Sequence, residues 1–414
     1  MNYDLVVVGG GASGMIASGR AAELGLKVVL LEKNRCLGEK LRISGGGRCN
    51  ITNAEENERL LLSNYGKSEQ SLYSLFTQFG MNDTFDFFES RGLNLKIEAK
   101  KRAFPITNDA NDVVDVLENY MKKGKVEVRP TCTVLEIIFA DGVISGIRTT
   151  DGEFVGKNYL FATGGVSHPE TGSTGDGLHW LEQLGHTVIK PTPTIVPIAV
   201  EDAWVKTLKG VTLPAIRMTF YIDGVKDFRI EGDVLCTHFG LSGPLILNNA
   251  YKIAEGLKYG EVTASIDLFP KLDHGTLERQ IIELFDTNKN KDLSNVLRAV
   301  VPTGTHKGVV VLLAEHMNIG VKVHSFSKES RKVLVQLLKA MPLGVTGLMG
   351  MDRAVVADGG IPLSEIDMRT MHSKKVPNLF VTGDLLHINR PSGGFSLQLC
   401  WSSGWVAGSH ANKN

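Results

Sequence analysis

The sequence predicts an α/β protein in which a parallel, dinucleotide-holding sheet is interrupted by an inserted mixed domain. Three observations predict it. The β-branched run Tyr3-Asp4-Leu5-Val6-Val7-Val8 feeds straight into glycines, a small-residue helix and then Val28-Val29-Leu30-Leu31-Glu32, the pattern of a βαβ unit. From Pro191 the chain changes to alternating hydrophobicity and turn signals. Towards the carboxyl end apolar parallel-sheet runs return, at Ala354-Val355-Val356-Ala357 and Asn378-Leu379-Phe380-Val381-Thr382. The expected division is 1–190 plus 342–414 for a discontinuous dinucleotide domain and 191–341 for an insert that is β-rich with a small helical subdomain.

Bulk properties bound the function. A chain of 414 residues exceeds one ordinary domain. With 45 basic and 45 acidic residues the formal charge is zero, so no whole-chain field points to nucleic acid or an anionic membrane. No apolar run is long enough to span a bilayer and no leader precedes the first strand, so a cytoplasmic protein is expected. The five cysteines form no CxxC pair and have no metal-type spacing with histidines, so neither a metal site nor a redox dithiol is expected.

Taken in order, Gly9, Gly11 and Gly14 supply the tight turn, the close approach to a pyrophosphate and the close helix–strand contact of a dinucleotide loop. Ala12 and Ser13 open a helix whose N-terminus attracts a diphosphate without a basic side chain. Glu32 closes the second strand, placed to accept ribose hydroxyls. The stretch Leu37 to Asn53 is expected to be a loop, with Ser44, Gly45, Gly46 and Gly47 pressing on a flat ligand. Aromatics between 68 and 92 fall at helical spacing and are expected in the core. Hairpins are expected at Asp141-Gly142 and Asp223-Gly224. The strand ending in Thr163 and Gly164 would place backbone beside the ligand of the first loop. Pro191-Thr192-Pro193 reads as a linker, and helical patterns follow at 243–255, 275–286, 293–300, 308–318 and 327–340. After Gly383 and Asp384, the segment Gly393-Gly394-Phe395 opens a second small-residue helix, whose N-terminus would stabilise negative charge on a reduced flavin, with Asp384 on the ribityl hydroxyls. No second glycine loop follows a strand. One resident dinucleotide is therefore expected, and any nicotinamide donor, NADH or NADPH, would visit transiently.

These residues together resemble a bacterial family of FAD-dependent proteins, the NAD(FAD)-utilising dehydrogenases or aminoacetone-oxidase-like flavoproteins, which includes bile-acid dienone reductases. The resemblance is carried by Gly9 to Gly14 with Glu32, Gly38-Glu39-Lys40 through Ser44 to Asn50, Ala162 to Gly165, Gly172 to Gly177, Thr237 to Pro244 and Gly393-Gly394. It implies a Rossmann-like FAD domain split between the chain ends, with FAD lined by Ser13, Glu32, Lys33, Lys40, Gly46, Gly47, Asp384 and Gly394, and Val134 offering backbone bonds to adenine. The chain departs from that family at His387-Ile388-Asn389-Arg390-Pro391. The expected activity is hydride transfer between FAD and a small unsaturated, carbonyl or amine substrate. An amine oxidase releasing peroxide and a flavin binder without turnover are the alternatives. Arg48, His168, His238 and Arg390 are the candidates to polarise substrate or carry a proton.

Overall fold

The computed structural model describes residues 2–354 and 356–412. They fold into two compact units, one of residues 1–193 with 354–414 and one of 194–353. Pro342 to Arg353, assigned from the sequence to the dinucleotide domain, belong to the insert. They do so because Met341–Leu348 pairs with Val262–Asp267 and with Ile198–Val200.

The first unit is built on parallel strands. We label β1 (Asn2–Val8), α1 (Ala12–Glu23), β2 (Val28–Leu31), α2 (Glu39–Ile43), β3 (Glu127–Arg129), β4 (Gly152–Phe161), α3 (Asp176–Gln183), β5 (Leu379–Val381) and α4 (Phe395–His410). The order β5-β4-β1-β2-β3 is parallel throughout, with Val7 beside both Leu30 and Leu160 and Phe380 beside Leu160. Leu5, Val6 and Val7 are fully buried, as strands covered on both faces must be. The expected aromatic core forms around Phe76, Phe79, Phe87 and Phe88.

Local turn chemistry holds where it was strongest. Asp141-Gly142 turns Val134–Ala140 into Val143–Thr149, and Asp223-Gly224 turns Thr212–Ile222 into Val225–Cys236, with positive φ at all four turn residues. Three expectations are corrected. Glu39–Ile43 is helical rather than loop, since Glu39 to Ile43 precede the glycines and contain none. Pro191-Thr192-Pro193, read as a linker, lies in the strand Ile189–Pro193. Its partner Ala357–Gly360, expected in the parallel sheet, runs antiparallel to it outside that sheet, and Val355 lies outside the described residues.

The second unit is a closed six-stranded barrel carrying helices at 244–247, 250–259, 274–287, 293–300, 306–316 and 328–339. Its own core gathers Trp204, Ile216, Met218, Phe220, Ile266 and Leu334. Among the described residues no helix is long and apolar enough to cross a membrane.

The two chain ends of the first unit are locked by α1 lying on α4. A Cβ at Gly404 would come 2.4 Å from Ser13 O, and one at Gly408 would come 2.5 Å from Ala17 O, so backbones touch where any side chain would push them apart. Gly404→Ala should cost about 1–3 kcal/mol by overpacking, read as a lowered Tm in thermal unfolding.

A buried polar clamp closes the far side of this unit. His186 Nδ1 lies 2.9 Å from Glu365 Oε2 and its Nε2 lies 2.8 Å from Ser373 Oγ, while Thr187 N and Lys375 Nζ donate to the same carboxylate. Burial pulls the Glu365 pKa up, but these donors outweigh it and hold the pKa down at about 2. The sign follows. The folded pKa is below the unfolded value of 4.5, so the clamp's contribution is complete above 4.5 and is lost as pH falls towards about 2. Urea unfolding across that window should show Glu365→Gln losing less stability on acidification than the parent.

Candidate cofactor and active site

The carboxyl ends of β1, β2, β4 and β5 come level, with Val8 beside Leu31 and Phe161, and Phe161 beside Val381. Gly9, Glu32, Ala162 and Thr382 therefore leave the sheet side by side, at the edge where open parallel sheets hold their ligands. A Cβ at Gly14 would fall 1.9 Å from Gly9 O, so only glycine lets α1 start here, whereas a Cβ at Gly11 would meet nothing within 4 Å. The loop is tight on the protein side and open on the other. α1 begins after Gly11 with no side-chain cap, so the first-turn N–H groups around Ala12 and Ser13 stay available to an anion.

Glu32 is buried and its carboxylate accepts Gly10 N and Asn34 N, each at 2.7 Å. Burial raises its pKa against the pull of those two donors. Cys132 N donates to Glu32 O at 2.9 Å, which brings the start of the hairpin at Val134 to the same corner. Lys33 donates to Thr174 Oγ1 (2.6 Å) and Asp176 Oδ2 (2.8 Å), and Asn34 Nδ2 donates to Thr171 O (3.0 Å). Lys33 thus latches the 171–176 loop onto the exit of β2.

A second cradle follows α2. Gly45, Gly46 and Gly47 all take positive φ, as does Cys49, and a Cβ at Gly46 or Gly47 would meet nothing within 4 Å. Ser44 opens this turn and accepts Cys49 N. The cradle is stitched to the N-terminus of α4. Asn50, oriented to satisfy both ends of its amide, accepts Gly394 N at 2.9 Å. Asn53 Nδ2 donates to Gly393 O at 3.1 Å. Like α1, α4 has no side-chain cap and no acidic residue in its first turn.

The remaining expected residues sort themselves by contact. Gly383 N donates to Ser403 Oγ at 3.1 Å, fixing the turn that presents Asp384. The Asp384 carboxylate is taken by Arg390 Nη2, whose other nitrogens donate to Ile388 O (2.5 Å) and Ser396 Oγ (3.0 Å). The Phe395 ring is core, packed edge-on against Tyr65 at 5.8 Å. Thr163 Oγ1 is buried without a hydrogen bond, under Gly177 at the start of α3. Gly164 lies beside Ser173 and Lys40, and Lys40 Nζ donates to Ser167 Oγ at 3.3 Å. Asn34, Asn53 and Ser167 were not singled out from the sequence. The only signal for Asn53 and Ser167 was position beside glycine runs, and for Asn34 its place just after Glu32.

Two uncapped helix N-termini, two open glycine turns and a buried carboxylate at the end of β2 are what a flavin dinucleotide requires, and one unit supplies all of them. A family model, the HI0933-like protein Rossmann domain, matches residues 3–410.

The chain belongs to the HI0933-like family.

It is 29% identical over 409 residues to a ribosomal RNA dihydrouridine synthase of Escherichia coli (strain K12), covering 98% of this chain and 96% of that one. It is 27% identical over 413 residues to a 3-dehydro-bile acid delta(4,6)-reductase of Clostridium scindens, covering 97% of each. The fold of a 3-ketosteroid delta1-dehydrogenase from Sterolibacterium denitrificans is shared, with TM-score 0.56 at 12% identity and 99% of each chain covered. This HI0933-like protein is an FAD-dependent oxidoreductase. The reading as a flavin binder without turnover is set aside.

The four candidate polar residues differ in how committed they are. Arg48 stacks on Phe104 at 4.1 Å, pairs with Glu98 and donates through Nε to Asn108 at 2.9 Å. Arg390 is buried and fully engaged. His168 Nδ1 lies 2.8 Å from Glu170 Oε1, with Nε2 not bonded to any described residue. His238 belongs to the second unit, exposed and edge-on to Phe239 at 4.8 Å. Replacing Glu32 by Ala should weaken FAD binding at least about tenfold, the value of one charged hydrogen-bond acceptor, as measured by flavin fluorescence on titration.

Proposed function

We propose that this protein adds hydrogen across a carbon–carbon double bond conjugated to a carbonyl, on a small ring substrate, with NADH or NADPH as the visiting donor. One observation carries the reading. Relatives matched along nearly their whole length are named for the same bond change on different rings, a delta(4,6)-reductase of a 3-dehydro-bile acid and a synthase of dihydrouridine. Bound FAD supplies the two-electron exchange. The chain's own groups bind, orient and move the proton. The N-termini of α1 and α4 present N–H groups to negative charge. Arg390 fixes Asp384 and Arg48 fixes the wall of the glycine cradle, so both are positioning residues. His168 is our choice as proton carrier. It holds an unengaged ring nitrogen, it follows Ser167, the partner of Lys40, and its left-handed backbone (φ 51°) is a strained conformation of the kind found at functional sites.

A uracil ring carried in RNA is the second reading. It is favoured by the E. coli relative's name and by a basic turn beside the cradle. Lys100 and Lys101 are exposed there, both with positive φ, and Asn53 Nδ2 bonds Lys100 O at 3.2 Å as well as Gly393 O. The neutral overall charge favours the small ring.

The test is anaerobic. NADH or NADPH should bleach the flavin, and a steroid dienone should restore the colour. Recovery with a uridine-containing RNA alone would shift the assignment to the second reading, and peroxide released from an amine, with no response to either ring, would overturn both. In the same assay His168→Gln should slow colour recovery by about 100-fold or more while leaving bleaching unchanged.

A further inference from the structure

Lys40 carries a charge that the fold does not balance. Its side chain is half-buried, its ammonium makes one hydrogen bond, to Ser167 Oγ at 3.3 Å, and a Cβ at Gly164 would stand 3.9 Å from Nζ. Among the described residues no carboxylate oxygen lies within 4.0 Å of that nitrogen. The carboxylate that acts on it most strongly, Asp384, is already held by Arg390. The neighbouring cations are matched, Lys33 by Asp176, Arg48 by Glu98 and Arg390 by Asp384. Burial lowers the Lys40 pKa, against the attraction of Asp384. An ammonium has three donors and here spends one. A half-buried, unmatched cation is costly unless a ligand supplies the anion.

The surroundings of Nζ narrow the choice of anion. α2 ends at Ser44, where the cradle begins. The charged and polar groups acting on the ammonium are Asp384, Cys400, Arg390 and Glu170, three of them in the C-terminal segment that carries α4 and meets the cradle through Gly393 and Gly394. The glycine loop of α1, by contrast, offers its own uncapped N–H groups to a diphosphate.

We propose that Lys40 is the countercharge for the negative charge that bound FAD gains on two-electron reduction, and that it thereby raises the flavin's reduction potential. The proposal rests on the assignment of FAD to this unit. A cation that strengthens its interaction only in the reduced form shifts the potential, whereas one bonded to the diphosphate is felt equally in both oxidation states and shifts affinity instead. The two are separable by measurement.

The experiment compares wild-type, Lys40→Met and Lys40→Arg holoproteins by anaerobic dye-coupled potentiometry, alongside the dissociation constant for oxidised FAD. Lys40→Met should move the oxidised/reduced equilibrium at least tenfold towards the oxidised form, about 30 mV for a two-electron couple. Lys40→Arg should keep most of the wild-type value, and affinity for oxidised FAD should change little. An unchanged midpoint in Lys40→Met overturns the proposal, and a large loss of affinity beside that unchanged midpoint returns the charge to the diphosphate. Because Lys40 is half-buried and pairs with no carboxylate, Met in its place leaves no partner charge uncompensated, and the fold should tolerate it. If Lys40→Met holds no flavin, Lys40→Gln is read in the same way. A wild-type chain that takes up no FAD would overturn the cofactor assignment itself, whereas a yellow protein whose potential ignores Lys40 overturns this proposal alone.

Discussion

The backbone-to-backbone contact between α1 and α4 is the constraint on which the rest depends. Ser13 O and Ala17 O leave no room for a side chain at Gly404 or Gly408, and that contact brings the first and last segments of a long chain to one sheet edge. Without it the dinucleotide loop at Gly9–Gly14 and the turn at Gly393–Gly394 would be unrelated pieces of sequence. With it, two uncapped helix N-termini belong to one packed unit, and their partial positive charges are available to a ligand. The contact explains why the C-terminal helix is so poor in large side chains on that face. Small residues there are a condition of assembling the site rather than a packing preference.

What was legible in the sequence was whatever is decided locally. The first βαβ unit could be read because three glycines at fixed spacing have one physical use, and a Cβ at Gly14 colliding with Gly9 O shows why no substitute serves. The two Asp-Gly hairpins were readable because only a few residue pairs accept positive φ twice in succession. Closure of the insert into a barrel was not readable. It depends on Ile198–Val200 pairing with Met341–Leu348 across the whole insert, a contact that no local pattern announces. The same distance effect put the second boundary too early, before the strand that completes the barrel.

Charged residues were the least legible part of the site. Sequence gives a charge but not its partner, and the partner decides the role. Arg48 and Arg390 read as candidates to polarise a substrate, yet their donors are spent on Glu98, Asn108, Asp384, Ile388 and Ser396. Asp384 read as a group for ribityl hydroxyls, and one of its oxygens is occupied by Arg390. Within the stretch His387 to Pro391, Arg390 supplies the clamp that holds Asp384. Asn389 Nδ2 donates to Asp358 Oδ2 at 3.4 Å, which ties the same stretch to Ala357–Gly360.

Once these partners are assigned, the electrostatics of the site simplify. Lys33, Arg48 and Arg390 are neutralised within the protein, and the helix N-termini contribute only partial charges. Lys40 is then a full charge in this corner still available to a ligand. A site built this way separates holding from tuning. In the reading proposed above, backbone N–H groups whose strength does not depend on oxidation state would hold the diphosphate, and the half-buried Lys40 would be left to favour one oxidation state over the other.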